Sequence, residues 1–366
     1  MEDTEPLFDP TRLPFGHQMF TDALVSAIEG GRIAHGWLLT GPQGVGKSAM
    51  ACMAAAWMLR ETEDQPSFTE PSGMVVDPDD PGSNLVCKGH HPDLLVIRPE
   101  IKDNKSGQIK LDQIRKLVGF LGHKPGRGGW RVAIIDSMDQ VNRNGANALL
   151  KLLEEPPERT MLFLIASKPG RLPPTVRSRC RVVRIPALDG ENCRTIVANA
   201  MPEEPESRMT DLARLSEGAP GRALSLAASQ SDDLYRTACA LLSEPRLDEG
   251  ALAALCEKWG KGGADGQAAR DGATWLVSRL LRLAALSASG SASGSASGSA
   301  SGPAHNHACA FETDVISVLV RRHDQANLAE RHASFVKSAA QMDGLYLDFG
   351  HFLSRELFWL RGKSLP

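Results

Sequence analysis

The stretch Trp37-Leu38-Leu39-Thr40-Gly41-Pro42-Gln43-Gly44-Val45-Gly46-Lys47-Ser48 decides the fold. Trp37 to Thr40 reads as a short apolar strand, and Ser48 to Leu59 as an Ala/Met-rich helix. Between them Gly41 to Ser48 matches the phosphate-loop pattern GxxxxGK[ST] in full, in the strand-then-helix context that gives the pattern its meaning. The chemistry needs these residue types. Glycines let the backbone curl until its N–H groups face phosphate oxygens. The helix N-terminus adds a partial positive charge. Lys47 reaches the outer phosphates and Ser48 ligates Mg²⁺. The expected nucleotide contacts are Gly41, Gly44, Val45, Gly46, Lys47 and Ser48.

Outward from this loop, short apolar runs alternate with helical stretches. Residues 94–97, 132–135, 161–166 and 182–185 read as strands. Residues 111–121 and 142–155 read as helices. Continuous apolar strands separated by helices predict a parallel sheet covered on both faces, an α/β domain spanning 1–186. Pro202, Pro205 and Gly218 break the chain that follows into short helices, a small helical domain over 187–229. Residues 230–366 are Ala/Leu-rich and helical. Leu276, Leu280, Leu281 and Leu283 form one stripe; Phe349, Phe352, Leu353, Leu357 and Leu360 form another. Two segments read as disordered: the acidic, proline-bearing 61–84 and the four Ser-Ala-Ser-Gly copies at 287–302, a flexible insert by composition.

Ile134-Ile135-Asp136 fits the strand-end carboxylate that accompanies a phosphate loop, so Asp136 is expected to hold Mg²⁺ through water. A hydrolysing enzyme of this class usually carries Glu next, to activate the attacking water. Here the residue is Ser137, which is no carboxylate base. Asp139 is the local substitute, or else an ordinary first-turn acid. After the fourth strand come Arg177, Arg179, Arg181 and Arg184, either a solvated basic edge or the source of a guanidinium for a neighbouring nucleotide.

Composition narrows the classes. At 42% apolar, 23% charged and a net charge of −3, the 366-residue chain has ample core and no overall field with which to hold DNA. Its seven cysteines lack any CxxC pair and read as reduced cytosolic thiols. The acidic start MEDTEPLFDP reads as no signal peptide, and no apolar run is long enough for a bilayer, so a cytoplasmic location is expected.

The run Ala146-Asn147-Ala148-Leu149-Leu150-Lys151-Leu152-Leu153-Glu154-Glu155-Pro156-Pro157, followed by Ser178-Arg179-Cys180, closely resembles the clamp-loader AAA+ family of bacterial delta-prime, gamma/tau and replication factor C. His35, His91-Pro92-Asp93 and Gly218-Ala219-Pro220-Gly221-Arg222-Ala223-Leu224 resemble it too, so the likeness spans about 10–230. Asp136-Ser137 in place of Asp-Glu, and Gly221 where a motor subunit carries its sensor-2 arginine, resemble the delta-prime branch. The resemblance implies an AAA+ domain, a small helical lid and an all-α collar. It implies Arg179 as an arginine finger acting in trans and Ser167 at the sensor-1 position, where the other reading is a strand-end serine capping a turn. Lys151 and Glu154 read as surface charges, Cys180 as a small packed side chain, and His90-His91 as a turn. With only Cys87 left of the family's zinc cysteines, no zinc is expected. The implied role is a subunit of a five-membered ring with gamma/tau and delta, which places the sliding clamp on primed DNA. It holds ATP with Mg²⁺ weakly or statically and has little or no ATPase of its own. A self-sufficient ATPase motor, and a structural subunit that binds no nucleotide, remain the alternatives.

Overall fold

A computed structural model of the chain describes residues 18–31, 33–61, 76–77, 79–99, 107–126, 129–260, 266–292, 308–345 and 348–362. In chain order the elements are α1 (Gln18–Glu29), β1 (Gly36–Thr40), α2 (Lys47–Met58), α3 (Pro81–Cys87), β2 (Leu94–Ile97), α4 (Leu111–Gly122), β3 (Arg131–Ile135), α5 (Arg143–Glu154), β4 (Thr160–Ala166), α6 (Pro174–Arg177), β5 (Arg181–Arg184), α7 (Gly190–Ala200), α8 (Glu206–Ser216), α9 (Pro220–Ala228), α10 (Ser231–Ser243), α11 (Glu249–Gly260), α12 (Gly266–Ala292), α13 (Ala310–Arg322), α14 (Gln325–Leu345) and α15 (Phe349–Leu360).

The five strands make one sheet in the order β2-β3-β4-β1-β5, every pairing parallel. Successive strand side chains point to opposite faces, so each run feeds two cores. Trp37, Leu39, Val132, Ile134, Phe163 and Ile165 join α1 and α2 on one face. Leu38, Ala133, Ile135, Leu162 and Leu164 join α4 and α5 on the other. The apolar runs are continuous because both faces are covered. In α5, Leu149 and Leu152 are buried; Leu150 and Leu153 pack partly buried beside them.

The chain folds as two compact units. Among the described residues, the first holds those up to 99, 107–200 and 218–221; the second holds 201–217 and those from 222 to 362. In the second, α12 packs on α13 and α14, and α11 on α15. Both apolar stripes expected there are buried.

Two segments expected to be disordered are partly helical. Residues 81–84 open α3, where the Asp80 carboxylate accepts the Ser83 N–H and Pro81 sits in the first turn, where its missing N–H costs nothing. Residues 287–292, the start of the Ser-Ala-Ser-Gly repeat, continue α12, since a formed helix adds a hydrogen bond for each residue it recruits. The remainder, 293–302, and most of 61–84 lie outside the described residues, as does the acidic start. Among the described residues no helix is long and apolar enough to cross a membrane.

Candidate functional site: the phosphate loop and the arginine edge

The loop between β1 and α2 takes a shape that L side chains rarely adopt. Gly41 has φ +151°, and a Cβ there would lie 2.1 Å from the Ile185 carbonyl oxygen, so only glycine lets the chain leave β1 beside the end of β5. Lys47, in the first turn of α2, is buried. Its ammonium donates to the Gly41 oxygen at 2.9 Å, the Pro42 oxygen at 2.6 Å and the Ser167 hydroxyl at 3.0 Å. Three acceptors match its three protons, so the lysine is held inside its own loop. The bond to Ser167, just after β4, joins that strand's end to the loop. On the loop's other side the Gly221 N–H donates to the Gly44 oxygen at 2.8 Å. A Cβ on Gly221 would lie 2.9 Å from that oxygen, so glycine here allows backbone to meet backbone.

Asp136 lies at the tip of β3, where sheet register sets its neighbours. Its Oδ2 accepts the Ser48 hydroxyl, and the Arg98 Nε lies 3.8 Å from the same oxygen. Ser48 and Asp136 are thus brought together, while Lys47 bonds elsewhere in the loop and to Ser167; Arg98 belongs to no motif, and sequence reasoning missed it. Mg²⁺ is a hard cation that favours oxygen ligands and keeps several waters. The carboxylate that would draw it already faces a guanidinium, so the charges present do not suit a dication. Ser137 has φ 74° and ψ 54°, left-handed backbone that is uncommon for serine. The Asp139 carboxylate accepts the Lys168 N–H at 3.1 Å, a loop-fastening bond. Cys52, one turn beyond Ser48, is pushed up to about 12, mainly by burial, with Arg98 pulling the other way. It stays a thiol at neutral pH.

Arg179 follows α6 on an exposed edge with Arg177, Arg181 and Arg184. Its Nη2 lies 2.6 Å from Glu154 Oε1, and its Nη1 donates to the Thr175 oxygen at 3.1 Å. Glu154 is therefore the partner of Arg179, where its sequence reads only as surface charge. Cys180 packs behind the same segment. Burial pushes its thiol up to about 12, and a Cβ on Gly36 would lie 3.3 Å from its sulfur. His91 is buried, and its Nδ1 accepts the Asp93 N–H at 3.1 Å, which makes His91-Pro92-Asp93 the turn into β2. Cys87 is a buried free thiol.

A parallel sheet of this order, with a lysine-bearing glycine loop leaving β1 and an aspartate at the tip of β3, belongs to the AAA+ class of P-loop folds. Residues 16–189 match the family described as DNA polymerase III, delta subunit. DNA polymerase III subunit delta′ of Pseudomonas aeruginosa is 38% identical over 193 residues, 52% of this chain and 56% of that protein. The Escherichia coli delta′ subunit is 30% identical over 222 residues, 61% and 63% of the two chains. The Escherichia coli tau subunit is 33% identical over 217 residues, 58% of this chain and 31% of tau. A crystal structure of a DNA polymerase III gamma subunit-related protein from Thermotoga maritima aligns with 93% of this chain and 98% of its own at 17% identity and a TM-score of 0.43. Over its α/β part the chain is similar to the delta-prime subunits of DNA polymerase III. The matched stretch spans between about half and two thirds of the length of the two delta-prime relatives.

Proposed function

We propose that this chain serves in the cytoplasm as the delta-prime-type subunit of a DNA polymerase III clamp loader, and that its chemical contribution is the Arg179 guanidinium, delivered in trans to ATP on an adjoining gamma/tau-type subunit. The observation that carries the proposal is the mounting of Arg179. The Glu154 carboxylate and the Thr175 carbonyl grip two of its nitrogens at the exposed end of α6. A planar, permanently charged fork held this way is suited to charge developing on a transferring phosphoryl group.

The other half of the proposal is a subunit that holds ATP without turning it over. Lys47 and the glycine loop are intact, and the residue after Asp136 is Ser137, which offers no base for water. Asp139, the substitute a self-sufficient motor would need, is engaged with the Lys168 N–H. The Arg98 guanidinium beside Asp136 argues against Mg²⁺ as a resident partner, so no step is assigned to it. The division into a nucleotide-binding domain to 186, a lid to 229 and a ring-forming collar beyond belongs to the same proposal. So do delta and gamma/tau as ring partners, and the sliding clamp and primed DNA met through the assembly.

A second reading, a loader subunit that binds no nucleotide, draws support from the three internal acceptors of Lys47. The test of the first reading is a loader reassembled with Arg179→Ala. Hydrolysis at the adjoining site is expected to fall by about 10³ or more, while Lys47→Ala leaves it near the wild-type rate.

A further inference from the structure

The register of β2 on β3 pairs Ile97 with Ile135, and the Asp136 N–H continues the ladder by donating to the Ile97 oxygen at 2.9 Å. Arg98 and Asp136 therefore leave neighbouring strands side by side. The Arg98 backbone is fastened: its oxygen accepts from Gln113 Nε2 at 3.1 Å, and Gln113 Oε1 accepts the Lys110 N–H at 2.9 Å at the start of α4. With the backbone fixed, the side chain reaches the strand-end carboxylate, placing Nε 3.8 Å from Asp136 Oδ2. That is the oxygen to which Ser48 donates, and it is where a phosphate-loop protein would draw its divalent ion.

We propose that Arg98 takes the place of the divalent cation: the phosphate loop of this chain binds nucleotide di- or triphosphate as the metal-free anion. The inference rests on the nucleotide-holding half of the proposed function. A guanidinium beside Asp136 cancels the negative charge that would attract Mg²⁺, and it repels a dication entering the same space. The missing carboxylate at Ser137 removes a further source of negative charge. Lys47, the loop N–H groups and the α2 N-terminus remain to bind the phosphates, and none of them needs a metal. Because a site without a bound divalent ion and without a base does not cleave phosphate, this substitution also accounts for a static nucleotide.

The test is fluorescence titration of the full chain with a ribose-labelled ADP and ATP, in millimolar Mg²⁺ and in EDTA. Wild-type dissociation constants are expected to agree within about threefold between the buffers. In Arg98→Ala, with Asp136 uncovered, Mg²⁺ is expected to tighten binding by about tenfold or more; Arg98→Lys, which keeps the charge, is expected to stay insensitive. Arg98 is half exposed, so these variants keep a folded chain, checked by circular dichroism. Wild-type binding that tightens tenfold with Mg²⁺, to the same degree in Arg98→Ala, overturns the metal-free proposal and leaves the nucleotide-holding reading standing. No binding in either buffer overturns both.

Discussion

At the scale of single residues, positions gain their roles from what lies next to them in space. Arg179 is one of four arginines between 177 and 184; its mounting by Glu154 and Thr175 sets it apart. The Ser-Arg-Cys triplet stood out in the sequence only through its resemblance, whereas the pairing of Arg179 with Glu154 depends on α5 and α6 meeting and was not legible. Arg98 shows the same limit: no spacing rule reveals that the residue after β2 meets the residue after β3. His91 offers a prediction at this scale. Burial lowers its pKa below the ordinary histidine value of 6.5, against the pull of Asp93 and Asp80. As pH falls, the unfolded chain takes the proton first, so stability is full above pH 6.5 and declines as pH drops toward the lower folded value. Urea midpoints measured from about pH 8 to about pH 5 are expected to fall once the pH drops below the ordinary histidine value, and to fall less steeply in His91→Gln. Part of the slope remains, because burial also lowers His332.

At the scale of elements, the five strands were legible to within a residue at each end; β1, β3 and β4, buried on both faces, read as unbroken apolar runs, whereas β5 buries only Val183. The exceptions followed composition too closely. Prolines and acids over 61–84 suggested disorder, yet Asp80-Pro81 is itself a helix-start signal: a carboxylate at the N-cap followed by a residue that needs no hydrogen bond. The Ser-Ala-Ser-Gly copies suggested a flexible insert, yet α12 carries its hydrogen bonding through Ala292. The meeting of Gly221 with the phosphate loop was half legible. The sequence marked the absence of an arginine; that the Gly221 N–H grips the Gly44 oxygen emerged only in space. A methyl group on Gly221 would press on Gly44 oxygen and Cα at 2.9 and 3.2 Å, both backbone atoms. Gly221→Ala is therefore expected to cost about 1–3 kcal/mol in urea unfolding and to weaken nucleotide binding. An unchanged midpoint would mean that the loop does not depend on this contact.

At the scale of the molecule, each unit is organised around its own anchored charge. In the first, that is Lys47 inside the phosphate loop. In the second, Arg279 and Glu312 are both fully buried. Glu312 accepts from Arg279 Nε at 3.0 Å and Nη2 at 3.1 Å, from the Tyr235 hydroxyl at 2.8 Å and from the Cys309 N–H at 2.7 Å. Glu217 supplies Arg279 with a second carboxylate. The apolar stripes of the helical region were readable by period, but this pair was not, since a charged residue in a helix ordinarily reads as solvent-facing. Glu312→Ala takes from the buried Arg279 one of its two carboxylates and leaves the Tyr235 phenol without its acceptor, and is expected to destabilise the chain by about 3–5 kcal/mol. A double replacement, Arg279→Met with Glu312→Met, is expected to recover much of that loss, because the desolvation cost of both charges disappears together. Denaturant unfolding of the wild type and the two variants measures the difference.

The central claim is that this subunit acts on a neighbour's ATP. Its most direct test is single-turnover hydrolysis in a reassembled loader where the adjoining gamma/tau-type subunit alone keeps a working phosphate loop. With Arg179→Ala in this chain, the rate is expected to fall by about 10³ or more, with clamp and DNA present and ring assembly unchanged. A rate equal to wild type in the same assembled ring would contradict the claim and leave Arg179 as a structural partner of Glu154.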